Sequence, residues 1–169
     1  MIFALKTFTQ IHVAITLVTI ASGFIVMFGL LTGRRLNRWT ALFLLMTLAT
    51  DVTGFLFPFH GFTPAIGVGI VSLLVLAITL FARYARHLAR GWRVSYDIGA
   101  VISLYLNVFV LIVQSFQKIP ALNALAPTQT VPPFAVTQLA ALVLFIILAI
   151  IAVRSFRIKP DGLSARASC

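Results

Sequence analysis

The segment that most constrains this chain is Trp39 to His60, WTALFLLMTLATDVTGFLFPFH, in which one charge, Asp51, interrupts an otherwise apolar run. A helix of that length measures about 33 Å, close to the roughly 30 Å hydrocarbon core of a bilayer. A carboxyl group near the middle of such a helix opposes insertion by roughly 2.5–3.5 kcal/mol, so Asp51 is expected to face other helices and not lipid. The segment therefore predicts a multi-pass bundle with a polar interior.

Composition agrees with that class. Of 169 residues, 61% are hydrophobic and only 9% charged, with a mean hydropathy of +1.09. A soluble domain carries about 25% charged residues, so the principal solvent here is lipid. The expected fold class is all-α, a polytopic transmembrane bundle of five helices. It forms one domain over residues 1–160, followed by a disordered cytoplasmic tail over 161–169. The net charge of +10 does not point to nucleic acid, because the thirteen Lys and Arg stand at segment ends and no long polar region could hold a binding module. Cys169 is the only cysteine, which rules out an intrachain disulfide or a CxxC site.

The five helices are predicted over about residues 11–32, 39–60, 64–88, 96–118 and 134–154. The first has an apolar core longer than the 7–15 residues typical of a signal peptide, so it is read as a retained span. Its His12, Thr16, Thr19 and Gly23 share one face, the predicted packing side. In the second, Thr47, Asp51 and Gly54 form a stripe with Thr50 and Thr53 beside it, and Pro58 kinks or ends the helix. The connection to the third helix is short, so these two form an antiparallel pair.

Beyond Phe81 the run ARYARHLARGWR places Arg83, Arg86, His87 and Arg90 on one helical face, with Arg93 following. Either these arginines meet anionic lipid headgroups, at about 1 kcal/mol each, or they form a solvated, topology-setting loop. Ser95 is the expected N-cap of the fourth helix, and Asp97 in its first turn suits the helix dipole as a structural acid. Ser103, Asn107 and Gln114 form an inward polar stripe. In the proline-rich linker over 119–133, Leu122 and Leu125 fit a short interfacial turn. The fifth helix is the most uniformly apolar.

Orientation follows from charge. With the N-terminus outside, eleven Lys and Arg fall on the inner side and only Lys6 and Lys118 on the outer. The C-terminus is then inside.

Two constellations could carry chemistry. Counting about 1.5 Å per residue from the inner ends, Ser22, Asp51, Ser72 and Asn107 all lie roughly 16–18 Å deep, near the midplane. If helix rotation brings them together, Asn107 is the natural partner of Asp51. Such a cluster, with Gln114 further along, is either a proton-accepting or substrate-binding site or an interhelical clamp. The clamp is favoured, because one acid without a basic partner makes a poor relay. The second constellation is His12 with His60, both about 32 Å from the inner ends and thus at the outer boundary. Two imidazoles at matched depth could ligate a haem b iron or another metal, with Phe55, Phe57, Phe59 and Phe62 against a porphyrin edge. The plainer reading is two interfacial side chains, each with one end wet. No second carboxylate or Cys accompanies them, so a catalytic zinc site lacks support. Phosphate-binding glycine motifs, GxSxG and HExxH are all missing from the sequence. Paired-carboxylate chemistry would need Asp51 beside Asp97 or Asp161, which belong to the inner face.

The stretches HVAITLVTIASGFIVMFGLLTGRRLNRWTALFLLMTLATDVTGFLFPFHGF and YLNVFVLIVQSFQKIPALNALAPTQTVPPF resemble a group of small multi-pass inner-membrane proteins from proteobacteria whose activity is not established. The resemblance implies a bacterial inner membrane and brings no chemistry. It also implies a hydroxyl residue in place of Asp51 and a histidine in place of Asn123, which moves weight from Asp51 toward His12, His60, Asn107 and Gln114. The leading expectation is a non-enzymatic accessory or assembly partner of a larger membrane complex. The rivals are a b-type haem electron-transfer protein using His12 and His60, and a small oligomeric transporter or channel using Asp51 and Asn107.

Overall fold

Polar and apolar side chains are sorted here in the opposite sense to a soluble domain. Thr19, Ser22, Thr40, Thr47, Ser72, Thr79 and Ser103 are buried, while Phe28, Leu45, Leu74, Leu139 and Ile147 lie on the outside. A computed structural model of the chain describes residues 2–57, 64–89, 91–128 and 131–155. Among these residues no strand occurs, and the helices are α1 (Ile2–Leu31), α2 (Asn37–Phe55), α3 (Pro64–Leu80), α4 (Trp92–Lys118), α5 (Pro120–Leu125) and α6 (Pro132–Ser155). Among the described residues, four stretches are long and apolar enough to cross a membrane: Lys6–Leu31, Ile66–Ala85, Trp92–Lys118 and Pro132–Ser155. They make the chain a membrane-embedded helical protein.

The packing order is simple. α1 lies along α2, α4 and α6, and α3 closes against α2 and α4. The result is a four-sided group, α1–α2–α3–α4, with α6 laid over its α1–α4 edge. α2 and α4 occupy opposite corners and meet through the Tyr96 hydroxyl and Thr40 Oγ1, 3.3 Å apart. The shared core runs through Met27, Phe43, Leu76, Leu104 and Phe145. α4 is the hub, and α6 is covered on one side only.

α2 stands apart in composition but not in exposure. Its Thr40, Thr47 and Asp51 are buried, whereas its outer face shows Leu45, Leu48, Val52 and Leu56. Asn37 and Arg38 at its exposed start, the threonines and Asp51 lower its average apolarity, and packing takes Thr40, Thr47 and Asp51 off the surface.

Several predicted boundaries move. α2 ends at Phe55 with its cap at Leu56. The expected continuation to His60, with Pro58, lies outside the described residues. The third helix does not continue regularly to residue 88. It widens into a π turn over Phe81–Ala85, closed by Arg86 N–H on the Phe81 carbonyl at 3.0 Å. His87 and Leu88 then take left-handed backbone angles, φ 47° and 58°. Leu88 turns back onto the core, with its N–H on the Ala82 carbonyl at 3.1 Å. An apolar contact just past a helix end is the usual accompaniment of such a reversal. This turn splits the expected basic helical face. α4 starts at Trp92, a full turn earlier than predicted, with Gly91 at its cap. Ser95 is thus inside the helix and caps nothing, and Asp97 lies beyond the first turn. The linker does contain a helical turn, α5, in which Leu122 packs under Phe116 and Phe134 while Leu125 is exposed.

Two glycines let the helices approach closely. A Cβ on Gly23 of α1 would fall 2.6 Å from Leu104 Cδ1 and 2.9 Å from Phe43 Cε2, where three helices meet. A Cβ on Gly99 of α4 would overlap Thr79 Oγ1, and that hydroxyl is itself held on the Val75 carbonyl at 2.7 Å. Gly99→Ala should therefore lower stability by about 1–3 kcal/mol through overpacking. Thr79→Ala in the same chain should recover part of the loss. Thermal unfolding of the four proteins of this double-mutant cycle in detergent measures the coupling, and simple additivity would contradict the contact.

Candidate functional site: the polar interior of the four-helix group

In hydrocarbon a hydroxyl without a partner is costly, and the cheapest partner is the carbonyl one turn back on its own helix. Most interior hydroxyls take it. Thr16 donates to His12 O, Thr19 to Ile15 O, Ser22 to Val18 O and Thr47 to Phe43 O, all between 2.7 and 2.9 Å. Ser22 also reaches Thr19 O at 3.0 Å. Asn107 does likewise, with Nδ2 on Ser103 O at 2.9 Å.

The predicted midplane cluster is buried as expected: Ser22, Asp51, Ser72 and Asn107 are each at most 8% exposed. They do not converge on one point. Ser72 Oγ of α3 donates to Asp51 Oδ2 of α2 at 2.9 Å, the pair that links two helices at this level. Asn107 belongs to α4, at the corner opposite α2, and its amide turns to its own helix. The pairing of Asn107 with Asp51 is therefore replaced by Ser72 with Asp51. Gln114 leaves the cluster altogether, because it is exposed.

The face of α1 predicted to pack does so. His12 Nδ1 and Thr53 Oγ1 lie 2.7 Å apart, Thr19 and Thr50 hydroxyls 3.1 Å apart, and both pairs join α1 to α2. The His12 ring also stands edge-on to Phe57, with centroids 5.2 Å apart. His12 is thus oriented by two neighbours, which leaves Nε2 as its ligand atom. His60, the proposed second ligand of haem or metal, lies outside the described residues. Among the described residues no group of three or more His, Cys, Asp or Glu is placed to hold a metal ion.

At the opposite end, the arginines predicted to touch lipid headgroups have protein partners. Arg83 Nη2 donates to Asn37 Oδ1 at 3.0 Å, and its guanidinium lies 5.3 Å from the Tyr96 ring and 5.6 Å from the Tyr84 ring. Arg86 is stacked on Trp92 at 5.3 Å. Arg93 acts on Asp97. Arg90 lies outside the described residues. Arg86 and Trp92 also line an open groove with Gly91 and Ser95. So the basic patch is a set of arginines fixed by aromatic rings at the α3–α4 turn, and not one helical face.

Asp97 is the residue whose setting the sequence reading missed. It is 1% exposed, and neither carboxyl oxygen has a hydrogen-bond partner among the described residues. The signal that could have found it is Gly91, which caps α4 early enough to carry Asp97 into the packed second turn. No protein-family model, curated protein or solved structure matches the chain.

The interhelical bond between Ser72 and Asp51 should couple measurably. Asp51→Ala and Ser72→Ala, alone and together, should show an interaction of about 0.5–2 kcal/mol in unfolding experiments in mild detergent. Losses that simply add would mean that the bond contributes nothing.

Proposed function

We propose that the chain is a five-span protein of the bacterial inner membrane, with the N-terminus outside and the C-terminus inside. It serves there as a non-enzymatic accessory or assembly partner of a larger membrane complex. The observation that carries this reading is the economy of the interior. Most of its hydroxyls and carboxamides are spent on their own helices or on pairs that tie neighbouring helices together, with Ser103 Oγ and Gln138 Oε1 left over among the described residues, and this is what a bundle built as a packing unit needs. The apolar outer face of α2 supports counting it as the fifth span, since Thr40, Thr47 and Asp51 are buried and its exposed polar residues, Asn37 and Arg38, stand at its start. The one-sided covering of α6 supports a role in which that helix meets lipid or another membrane chain. At the arginine-rich end, Arg86 on Trp92 and the neighbouring Arg83 and Arg93 suit a surface of anionic lipid.

Topology reporters test the span count. Alkaline phosphatase, active only outside the cytoplasm, should be active when fused after residue 57 or 126 and inactive after residue 36, 89 or 155. If α2 does not cross, every reporter after it will read the other way. Cross-linking of tagged protein in native membranes should capture defined membrane partners, and flux through the purified protein in liposomes that Asp51→Asn abolishes would replace this reading by transport. A reduced-minus-oxidised visible spectrum of protein made with adequate haem should be flat. Sharp bands lost in both His12→Ala and His60→Ala would make it a haem protein instead.

A further inference from the structure

Asp97 is the one acid of the membrane-embedded bundle whose acceptors are unused. Asp51 has Ser72, but Asp97 is more deeply buried and both of its oxygens lack a hydrogen-bond donor among the described residues. An ionised carboxylate left without donors in a packed interior is strongly disfavoured. Either the group carries a proton or a small ligand supplies the missing contacts.

Its surroundings decide which. The charged groups that act on it are Arg93, one turn earlier on α4, and Arg35, in the connection between α1 and α2. Tyr96 lies beside it in sequence and interacts with it electrostatically. The remaining ionisable groups at this end of the bundle are Arg34 and Arg38 by the α1–α2 connection, Arg83, Tyr84, Arg86 and His87 by the α3–α4 turn, and Arg154 in the last turn of α6. No second carboxylate stands there among the described residues. A metal cation would meet a single acid among arginines, and a metal site needs several anionic or neutral ligands. A proton needs only one oxygen.

A small cavity with room for a single water is lined by Arg34, Arg35, Arg83, Thr40 and Tyr96. Arg34 and Arg35 are exposed, while Arg35 and Tyr96 are also electrostatic neighbours of Asp97. Asp97 itself does not line the cavity, but two of its electrostatic neighbours do.

We propose that Asp97 is a proton-exchange site at the arginine-rich end of the bundle, fed by water through the Arg34–Arg35–Tyr96 cavity. The step is a plain transfer: the carboxylate accepts a proton from hydronium or a buffer acid, becomes COOH, and releases water or the buffer base. No other bond changes. Arg35 is the neighbouring charge that a substitution can remove without touching α4.

The sequence makes the test clean, because Asp51, Asp97 and Asp161 are the only acidic side chains. The experiment is a pH-difference infrared spectrum of the full-length protein in lipid, read at the C=O stretch of protonated carboxyl groups. In Asp51→Asn/Asp161→Asn the only side-chain carboxyl is Asp97, and a titrating band is expected. That band should disappear when Asp97→Asn is added to the double variant, and its midpoint should move on adding Arg35→Gln but not Arg38→Gln. Loss of the band in Asp51→Asn/Asp161→Asn, with helix content by circular dichroism unchanged, would overturn the proposal. So would its persistence when Asp97→Asn is added to that double variant. If Asp97→Asn does not fold, the double variant and Arg35→Gln decide the question without it.

Discussion

The whole structure depends on where polar groups go when no water is at hand. In a lipid-facing bundle each interior hydroxyl must find an acceptor, and the carbonyl one turn back is within reach without help from any other element. Thr16, Thr19, Ser22, Thr47, Thr53 and Thr79 all use it. Side chains satisfied in this way become compact, nearly apolar surfaces. Helices can then approach through them, as α3 and α4 do at Thr79 and Gly99.

Bonds between helices are placed where this internal solution falls short. A carboxylate has no proton to give a carbonyl, so Asp51 needs a donor from outside its helix and receives one from Ser72. The His12 ring is too long to fold back and meets Thr53. These contacts join α1 to α2 and α2 to α3, while α4 is held mainly by shape, with Leu104 against Gly23 and Gly99 against Thr79. Asp97 departs from both patterns. It is buried by the position of its helix and has no donor among the described residues. Ser103 Oγ and Gln138 Oε1 are unpartnered there too, but Asp97 is the one ionisable group among them, and such a group is where a function beyond packing is best sought.

The turn between α3 and α4 connects this interior to the membrane surface. The π turn and the left-handed pair His87–Leu88 reverse the chain within a few residues and drop Leu88 onto the core. Arginines that a continuous helix would have aligned are instead distributed onto rings: Arg83 on Tyr96 and Arg86 on Trp92. Their charge is kept at the surface, but its geometry is set by aromatic neighbours and not by helical period.

Some of this was legible in the residues. Length and apolarity identify the long helices, because a segment that must satisfy its own backbone in lipid has few conformations open to it. The inward turn of Asp51 follows from the cost of a charge in hydrocarbon, and the packing face of α1 from the spacing of His12, Thr16, Thr19 and Gly23. Partners were not legible. Depth along a helix can be counted, but rotation and neighbour order cannot, so only the tertiary structure shows that α4 sits diagonally from α2 and that Asp51 meets Ser72 and not Asn107. Helix ends were also decided by packing. Packing of Leu88 against the core and the early cap at Gly91 moved Asp97 from a helix terminus into the core. Sequence determined which side chains must avoid lipid, since that is a property of each residue. Which of them touch is a property of the assembled helices.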